Sequence, residues 1–369
     1  MRDQNPRRIL LAVSGMSPQI ITETLFSLLH RKDASWLPDE IHLITTSDGR
    51  EQVRLQLLGE QGHFTRFLQD FKISAPIRFD LSTIHVIADY QGQILPDLRT
   101  PQDNEAAADF ITEQIRTFTS QDNTELHVSL AGGRKTMGFY IGYALSLFGR
   151  PQDRLSHVLV DAGYETLSNF FYPTPETRSI ATRDGKGVLD ASKAQVWLAE
   201  IPYVRLRGFL PDDALVNKAR FSALVKVVGT LTGDPKLVID MANLKILIGD
   251  IAIYMPPREL ALYILFLKAV LTGDSPINIP KKGHTQLGKI FLEELQRIKG
   301  EMGDIDCTAV ALEKGMDRAY FDSIKSRINT TMEKALGKQG ATQYQIQSGS
   351  RGSATFWLSL PKNRITIEE

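Results

Sequence analysis

The sequence predicts an α/β protein whose larger part is a mostly parallel sheet clad in helices, followed by a smaller α+β domain. Three observations predict it. Over the first half, short apolar runs alternate with helical patterns, and alternation at that spacing implies right-handed crossovers and a sheet covered on both faces. Two of the apolar runs end in loops rich in small and polar residues, "SGMSPQ" and "AGGRKT". Beyond Lys236 the alternation stops, giving way to short strands, several helices and a terminal hairpin pattern.

In order, "RRILLAVSG" is a buried strand and "PQIITETLFSLLHR" an amphipathic helix, with apolar positions at Ile20, Ile21, Leu25 and Leu28. Ser17 is its expected N-cap and Pro18 its first helical residue. "EIHLITT" is the second strand, "REQVRLQLLGEQGHFTRFLQDF" a helix, "STIHVIAD" the third strand and "DNEAAADFITEQIRTF" a helix. Then come strand "ELHVSLA", a helix from Thr136 over "TMGFYIGYALSLFG", and strands "LSHVLVDA" and "LSNFFYPT". In a Rossmann-like order 3-2-1-4-5-6, the first and fourth strands are neighbours at the topological switch point, where open α/β sheets bind ligands beyond the strands' carboxyl ends. The two loops therefore converge on one crevice.

The expected domains are 1–208, a helical connector 209–235 ("GFLPDDALVNKARFSALVKVVGTL"), and 236–369. In the last, "KLVIDMANLKILIGDIAIYMPPRELALYILFLKAVL" reads as two or three short strands running into a helix that opens at Pro-Pro-Arg-Glu. "HTQLGKIFLEELQRIKGEM" and "AYFDSIKSRINTTMEKALG" are further helices, and "TQYQIQSGSRGSATFWLSLP" is a hairpin around "SGSRGS". Helices followed by a hairpin with a basic tip match a winged helix-turn-helix.

Composition narrows the function classes. The 369 residues are 42% hydrophobic and 23% charged, with 43 basic and 43 acidic side chains, so any nucleic-acid site must be a local patch. One cysteine, Cys307, leaves no intramolecular disulfide or cysteine-rich zinc site and fits a reducing cytoplasm. No apolar run reaches about 18 residues, and the start has no secretory pattern; a cytoplasmic protein with no membrane partner is expected. No H-x-x-x-H and no carboxylate pair of metal spacing occurs, so no metal and no cofactor are expected. His42, His85, His127 and His157 sit in or beside strands among apolar residues and read as packing or sheet-edge positions.

"AGGRKT" is not a Walker A loop, because Arg134 precedes Lys135 where that motif needs glycine, and Ala131 opens it. It can be a tight turn with two solvated cations, or a phosphate site: glycines let a phosphate approach backbone N–H groups, and the following helix aims its positive end there. The loop residues are Ser14, Gly15, Met16, Ser17, Pro18 and Gln19 on one side, and Gly132, Gly133, Arg134, Lys135 and Thr136 on the other, with Thr46 after the second strand.

"ILLAVSGMSPQIITETLFSL" together with "SLAGGRKTMGFYIGYALSLFGR" resembles the CARF (CRISPR-associated Rossmann fold) proteins of type III CRISPR systems. The resemblance spans roughly the first 210 residues and takes in "TTSDGR" and "AEIPYVRLR". It implies a homodimer that binds a cyclic oligoadenylate, usually the tetra-adenylate, across its two-fold axis. It also implies two alternatives. In the ring nucleases of this family a Ser-Pro and a glycine-loop Lys support metal-free cleavage by ribose 2′-OH attack, which maps onto Ser17 and Lys135; other members bind without cutting and gate a second domain. The R-x-x-x-x-H motif of the ribonuclease-bearing members is missing from the second half. "LVIDMANLKILIGDIAIYMPPRELALYILFL" resembles the start of an OmpR-type winged helix, which implies a recognition helix over "FDSIKSRINTTMEKALG" and duplex-DNA contacts from Lys325, Arg327, Lys334, Lys338 and, on the wing, Arg351. Asp322 and Glu333 dilute that charge, leaving a dimerisation or protein-contact role open.

Overall fold

The computed structural model describes residues 6–31, 35–350 and 353–368. The chain divides into two compact units, one built from residues up to 207 plus 218–221, the other from 208–217 and 222 onward. The first contains β1 (Arg7–Val13), α1 (Ile20–Leu29), β2 (Glu40–Thr45), α2 (Ser47–Gln56), α3 (His63–Asp70), β3 (Ile84–Val86), α4 (Pro101–Thr119), β4 (Thr124–Ser129), α5 (Lys135–Phe148), β5 (Arg154–Val160), β6 (Ser179–Ala181), β7 (Val188–Asp190) and β8 (Val196–Glu200). Its sheet runs β3-β2-β1-β4-β5-β8, parallel except for β8. Ile9 to Val13 are entirely buried, as an apolar run in a central parallel strand must be. β1 and β4 are neighbours in register, Leu10 opposite His127 and Leu11 opposite Val128.

Three expectations in this unit are corrected. "LSNFFYPT" is not a strand: Leu167 and Phe170 pack with Tyr164 and Ile180, while Phe171 and Tyr172 turn into the core around Phe67. The sixth sheet position is taken by β8, antiparallel to β5. The long helix expected after the second strand is two, α2 and α3, broken where Gly59 adopts φ +91° and Gly62 packs so tightly that a Cβ would stand 2.1 Å from the Leu57 carbonyl oxygen. α1 begins at Ile20 with Gln19 in the cap position, so Ser17 is not its N-cap. The Ser14 hydroxyl donates to the Ser17 carbonyl at 3.2 Å and the Ile21 N–H to that of Pro18 at 3.1 Å, a tight turn that delays the helix.

The second unit contains α6 (Asp212–Val216), α7 (Phe221–Thr232), β9 (Leu237–Asp240), β10 (Lys245–Ile248), β11 (Ile251–Tyr254), α8 (Pro257–Thr272), β12 (Ile277–Asn278), α9 (Thr285–Lys299), α10 (Asp306–Ala311), α11 (Arg318–Gly340), β13 (Gln347–Ser348), β14 (Thr355–Trp357) and β15 (Ile365–Glu368). The expected single connecting helix is interrupted: Pro211 starts α6 and extended Asn217 ends it, before α7 begins. β11-β10-β9-β15 form one sheet, β15 running parallel to β9. α8 is buried without a break from Glu259 to Leu267, which is why it is apolar all round. β12-β14-β13 form a second, antiparallel sheet. Among the described residues no helix is long and apolar enough to cross a membrane.

Candidate functional site

β1 and β4 end side by side, and the loops that leave them touch. A Cβ built on Gly15 would stand 3.3 Å from the Cα of Gly133. At Gly132, φ is +149° and a Cβ would lie 2.7 Å from the carbonyl oxygen of Val13; only glycine fits there. Buried Ser14 anchors the first loop, its N–H donating to Ile44 and its carbonyl accepting from the Thr45 hydroxyl at 2.7 Å. Thr46 is also buried and caps α2, its hydroxyl accepting from the Gly49 N–H at 3.4 Å. Met16 and Ser17 lie exposed at the tip, while Pro18 is buried beneath.

α1 and α5 both start at this junction without a side-chain cap. The Ile21 N–H goes to the Pro18 carbonyl and the Met137 N–H to that of Arg134, and no side chain caps the other first-turn N–H groups, which face where an external acceptor would sit. The five loop positions from Gly132 to Thr136 have separate fates. Arg134 is held by Asp97 in a bidentate pair along one guanidinium edge, Nε at 3.1 Å from Oδ1 and the terminal nitrogen on Oδ2. Arg134, with Arg99 beside it, draws the Asp97 carboxyl down to about 2. Thr136 donates to Asn104 at 2.7 Å, fastening α5 to α4. Lys135 is exposed and, among the described residues, its ammonium has no hydrogen bond or ion pair. The Ser17 hydroxyl is likewise uncommitted among the described residues.

A cleft of about 560 Å³ opens over the junction, lined by Ser17, Thr46, Asp97, Gly132, Gly133 and Arg134 among others. A second, of about 490 Å³, shares Met16, Ser17 and Gly132 and continues along α1 to β5 and residues 165–168. His157 lines this second cleft, so its side chain is not simply packed in the sheet. Of the other strand histidines, His127 is fully buried against the Ser156 hydroxyl at 2.7 Å, and burial pushes it down to about 3. His42 is stacked on His85 with nitrogens 3.0 Å apart. Sequence reasoning missed Asp97, Asn104 and Glu23; the first two sit more than 30 residues from the side chains they hold, and no local pattern marks them.

On α11 the expected basic set does not form one surface. Arg327 and Lys334 are seven residues apart and share a helix face, whereas Lys325 lies elsewhere, folded over the Phe356 ring at 4.9 Å and 3.4 Å from Asp322. Arg327 pairs with buried Glu259 at 3.3 Å. Lys338 follows a break in the helix at Gly337, whose φ is +72°. Arg351 lies outside the described residues.

A family model described as CRISPR-associated protein NE0113 matches residues 17–230. No curated protein sequence matches. Among solved structures, the chain is similar to Enterococcus italicus Csm6 bound to cyclic hexa-2′-fluoro-hexa-dAMP, at 12% identity and a TM-score of 0.31, covering 89% of this chain and 61% of that one. It is also similar to the protein VC1899 from Vibrio cholerae, at 9% identity and a TM-score of 0.26, covering 89% and 68%. The chain thus spans about three fifths of the length of Csm6. Neither likeness bears on fold or function at these TM-scores.

Proposed function

Since this chain belongs to the CRISPR-associated protein NE0113 family, we propose that its first unit is a CARF sensor that binds cyclic oligoadenylate, with the tetra-adenylate as the favoured ring. One observation carries the reading: two glycine-bearing loops meet backbone to backbone at the ends of β1 and β4, each opening an uncapped helix. Such a junction offers N–H groups and helix dipoles to phosphodiester oxygens. The resemblance of the two loops to those of CARF proteins supports reading the phosphates as those of a cyclic RNA. Met16 and Phe139, 58% and 59% exposed beside the loops, are apolar surface that a second copy would cover, and a two-fold dimer would present each loop twice to the ring.

The same site also supports a reading as a metal-free ring nuclease. The ribose 2′-oxygen attacks the adjacent phosphorus in line and the bond to the 5′-oxygen breaks. The products are a 2′,3′-cyclic phosphate and a 5′-hydroxyl, the proton lost at one oxygen matching that gained at the other. The protein's part is to hold that alignment and to stabilise charge on the phosphoryl and leaving oxygens. Lys135 is the uncommitted cation for the charge, and the free Ser17 hydroxyl orients the ribose or phosphate. Incubation with cyclic tetra- and hexa-adenylate in EDTA, with products separated by chromatography, tests both claims. Linear products terminated in 2′,3′-cyclic phosphate support a ring nuclease. Binding without products leaves a sensor, and neither binding nor products overturns the reading.

The second unit supports an additional role. Its order α8, β12, α9, α10, α11, β13, β14, with β14 pairing both β12 and β13, supports reading it as a winged helix with α11 in the recognition position. A non-catalytic regulator gated by the ring and binding duplex DNA through Lys325, Arg327, Lys334 and Arg351 is the competing function.

A further inference from the structure

The cleft beside the phosphate loops holds a side chain that neither phosphate binding nor cleavage uses. Glu23, on the first turn of α1, is 8% exposed, lines the cleft of about 490 Å³, and among the described residues no donor reaches its carboxyl. The volume is in the range of about 300–1,000 Å³ typical of small-ligand sites. Met16, Ile20, Val158 and Leu167 supply apolar wall. A second observation points the same way. Gln19 donates its amide N–H to the Ser168 carbonyl at 2.9 Å, while its Oε1 is buried with no partner among the described residues. An orphaned buried acceptor is destabilising unless a ligand donor reaches it. The cleft thus offers a donor-plus-acceptor group and a second acceptor, between apolar surfaces, next to a phosphate site.

We propose that this cleft is an adenine pocket in which the neutral carboxylic acid of Glu23 reads the base, its O–H donating to N1 and its carbonyl oxygen accepting from the exocyclic amine, whose other N–H goes to Gln19 Oε1. The inference rests on the reading of residues 14–19 and 132–136 as the ligand loops, and it assigns a specificity-determining residue to that site. Burial, with Glu165 adding to it, pushes Glu23 up to about 8, so at neutral pH the acid is protonated and adds no negative charge beside a polyanion. The other titratable groups around it are accounted for. Glu165 and His157 line the same cleft. On α3, His63 is stacked on Phe171 and held down to about 4, Asp70 is taken by Arg178 and Tyr172, and Arg66 donates to Gln61. On β8, Glu200 pairs with Arg31 and Arg154.

The test is equilibrium binding of a 2′-deoxy cyclic tetra-adenylate, which no 2′-hydroxyl can open, at pH 6.5 and pH 9.5. At pH 6.5, Glu23→Gln keeps a donor and an acceptor and binds like the wild type, while Glu23→Leu weakens binding by about tenfold, the scale of one or two hydrogen bonds. Raising the pH ionises Glu23 and removes its donor, so the wild type weakens by about tenfold and Glu23→Gln does not. A ring of 1-deaza-adenines, lacking the N1 acceptor, costs the wild type a similar factor with the chain untouched, so a misfolded leucine variant does not decide the matter. Equal affinity of the 1-deaza ring, or a parallel loss with pH in wild type and Glu23→Gln, overturns this pocket and leaves the ligand loops standing. No binding of either ring by the wild type overturns both.

Discussion

The cations at the start of α5 and those along α11 differ in what already holds them. Among the described residues Lys135 stands free at an uncapped helix N-terminus, where the backbone adds its own partial positive charge. On α11, Lys325 leans over Phe356 beside Asp322 and Arg327 reaches buried Glu259. A count of basic residues favours α11. Availability favours α5, because an anion must first compete with the carboxylates already in place. Arg134 shows the distinction over a single residue, since Asp97 holds it while its neighbour has no partner among the described residues.

The largest expected effect breaks the comparison at its strong end. If the chain cleaves the ring as proposed, Lys135→Ala removes the uncommitted cation and slows cleavage by about 10²–10³-fold, measured under single turnover in EDTA. Unchanged turnover would take Lys135 out of the mechanism. Next comes the backbone that places it: Gly132→Ala forces a Cβ against the Val13 carbonyl and lowers stability by about 1–3 kcal/mol, read from the urea midpoint, with ring affinity lost in the same variant.

How much of this could be read from the sequence follows the same division. The central strands were legible because a parallel strand buried on both faces has to be an unbroken apolar run, as Ile9 to Val13 are. The touching loops were legible because close backbone approach demands glycine. "LSNFFYPT" misled because its aromatic residues are β-leaning for a different reason: they fill two separate cores from an irregular segment. The break between α2 and α3 was hidden by apolar periodicity that runs on across Gly59 and Gly62. Partners such as Asp97 for Arg134, 37 residues away, exist only once the chain has folded.

A smaller effect would turn Arg134 into a second Lys135. Asp97→Asn removes a carboxylate beside the proposed phosphate loops and frees the guanidinium, so ring affinity should rise up to about fivefold at low salt, an exposed ion pair being worth about 1 kcal/mol or less. Because Asp97 titrates near 2, below the ordinary aspartate range, the pair is intact above about pH 4 and is lost only as the pH falls towards 2. The gain from the asparagine is therefore flat across pH 5–8. A gain that varies through that window would mean that another group governs Arg134.

The smallest effect tests the weak end. If α11 binds duplex DNA, log affinity falls with log salt by about 0.9 per phosphate contact. Lys334→Ala then flattens the slope by nearly that much, and Arg327→Ala by less, since Arg327 is already shared with Glu259. Equal changes from the two would show that the ion pair opens at no cost. Absence of any binding to the protein's own promoter region at low salt, with and without the ring, would leave the second unit a structural or protein-contact module.

Gly49 extends the contact between the two loops to a third. A Cβ there would lie 2.0 Å from the Thr45 hydroxyl and 2.7 Å from the Gly15 carbonyl oxygen, so the segments leaving β1, β2 and β4 abut with hardly a side chain between them. Such a junction constrains how descendants of this chain can vary. Insertions and deletions have nowhere to go where three backbones abut, and side-chain growth at Gly15, Gly49 or Gly132 meets main chain or a packed hydroxyl. Novelty is confined to residues that point outward from it, such as Met16. New ligand preferences would therefore arise by exchanging the outward residues at fixed loop length, and chimaeras that transplant one loop alone would carry a mismatch into the other two.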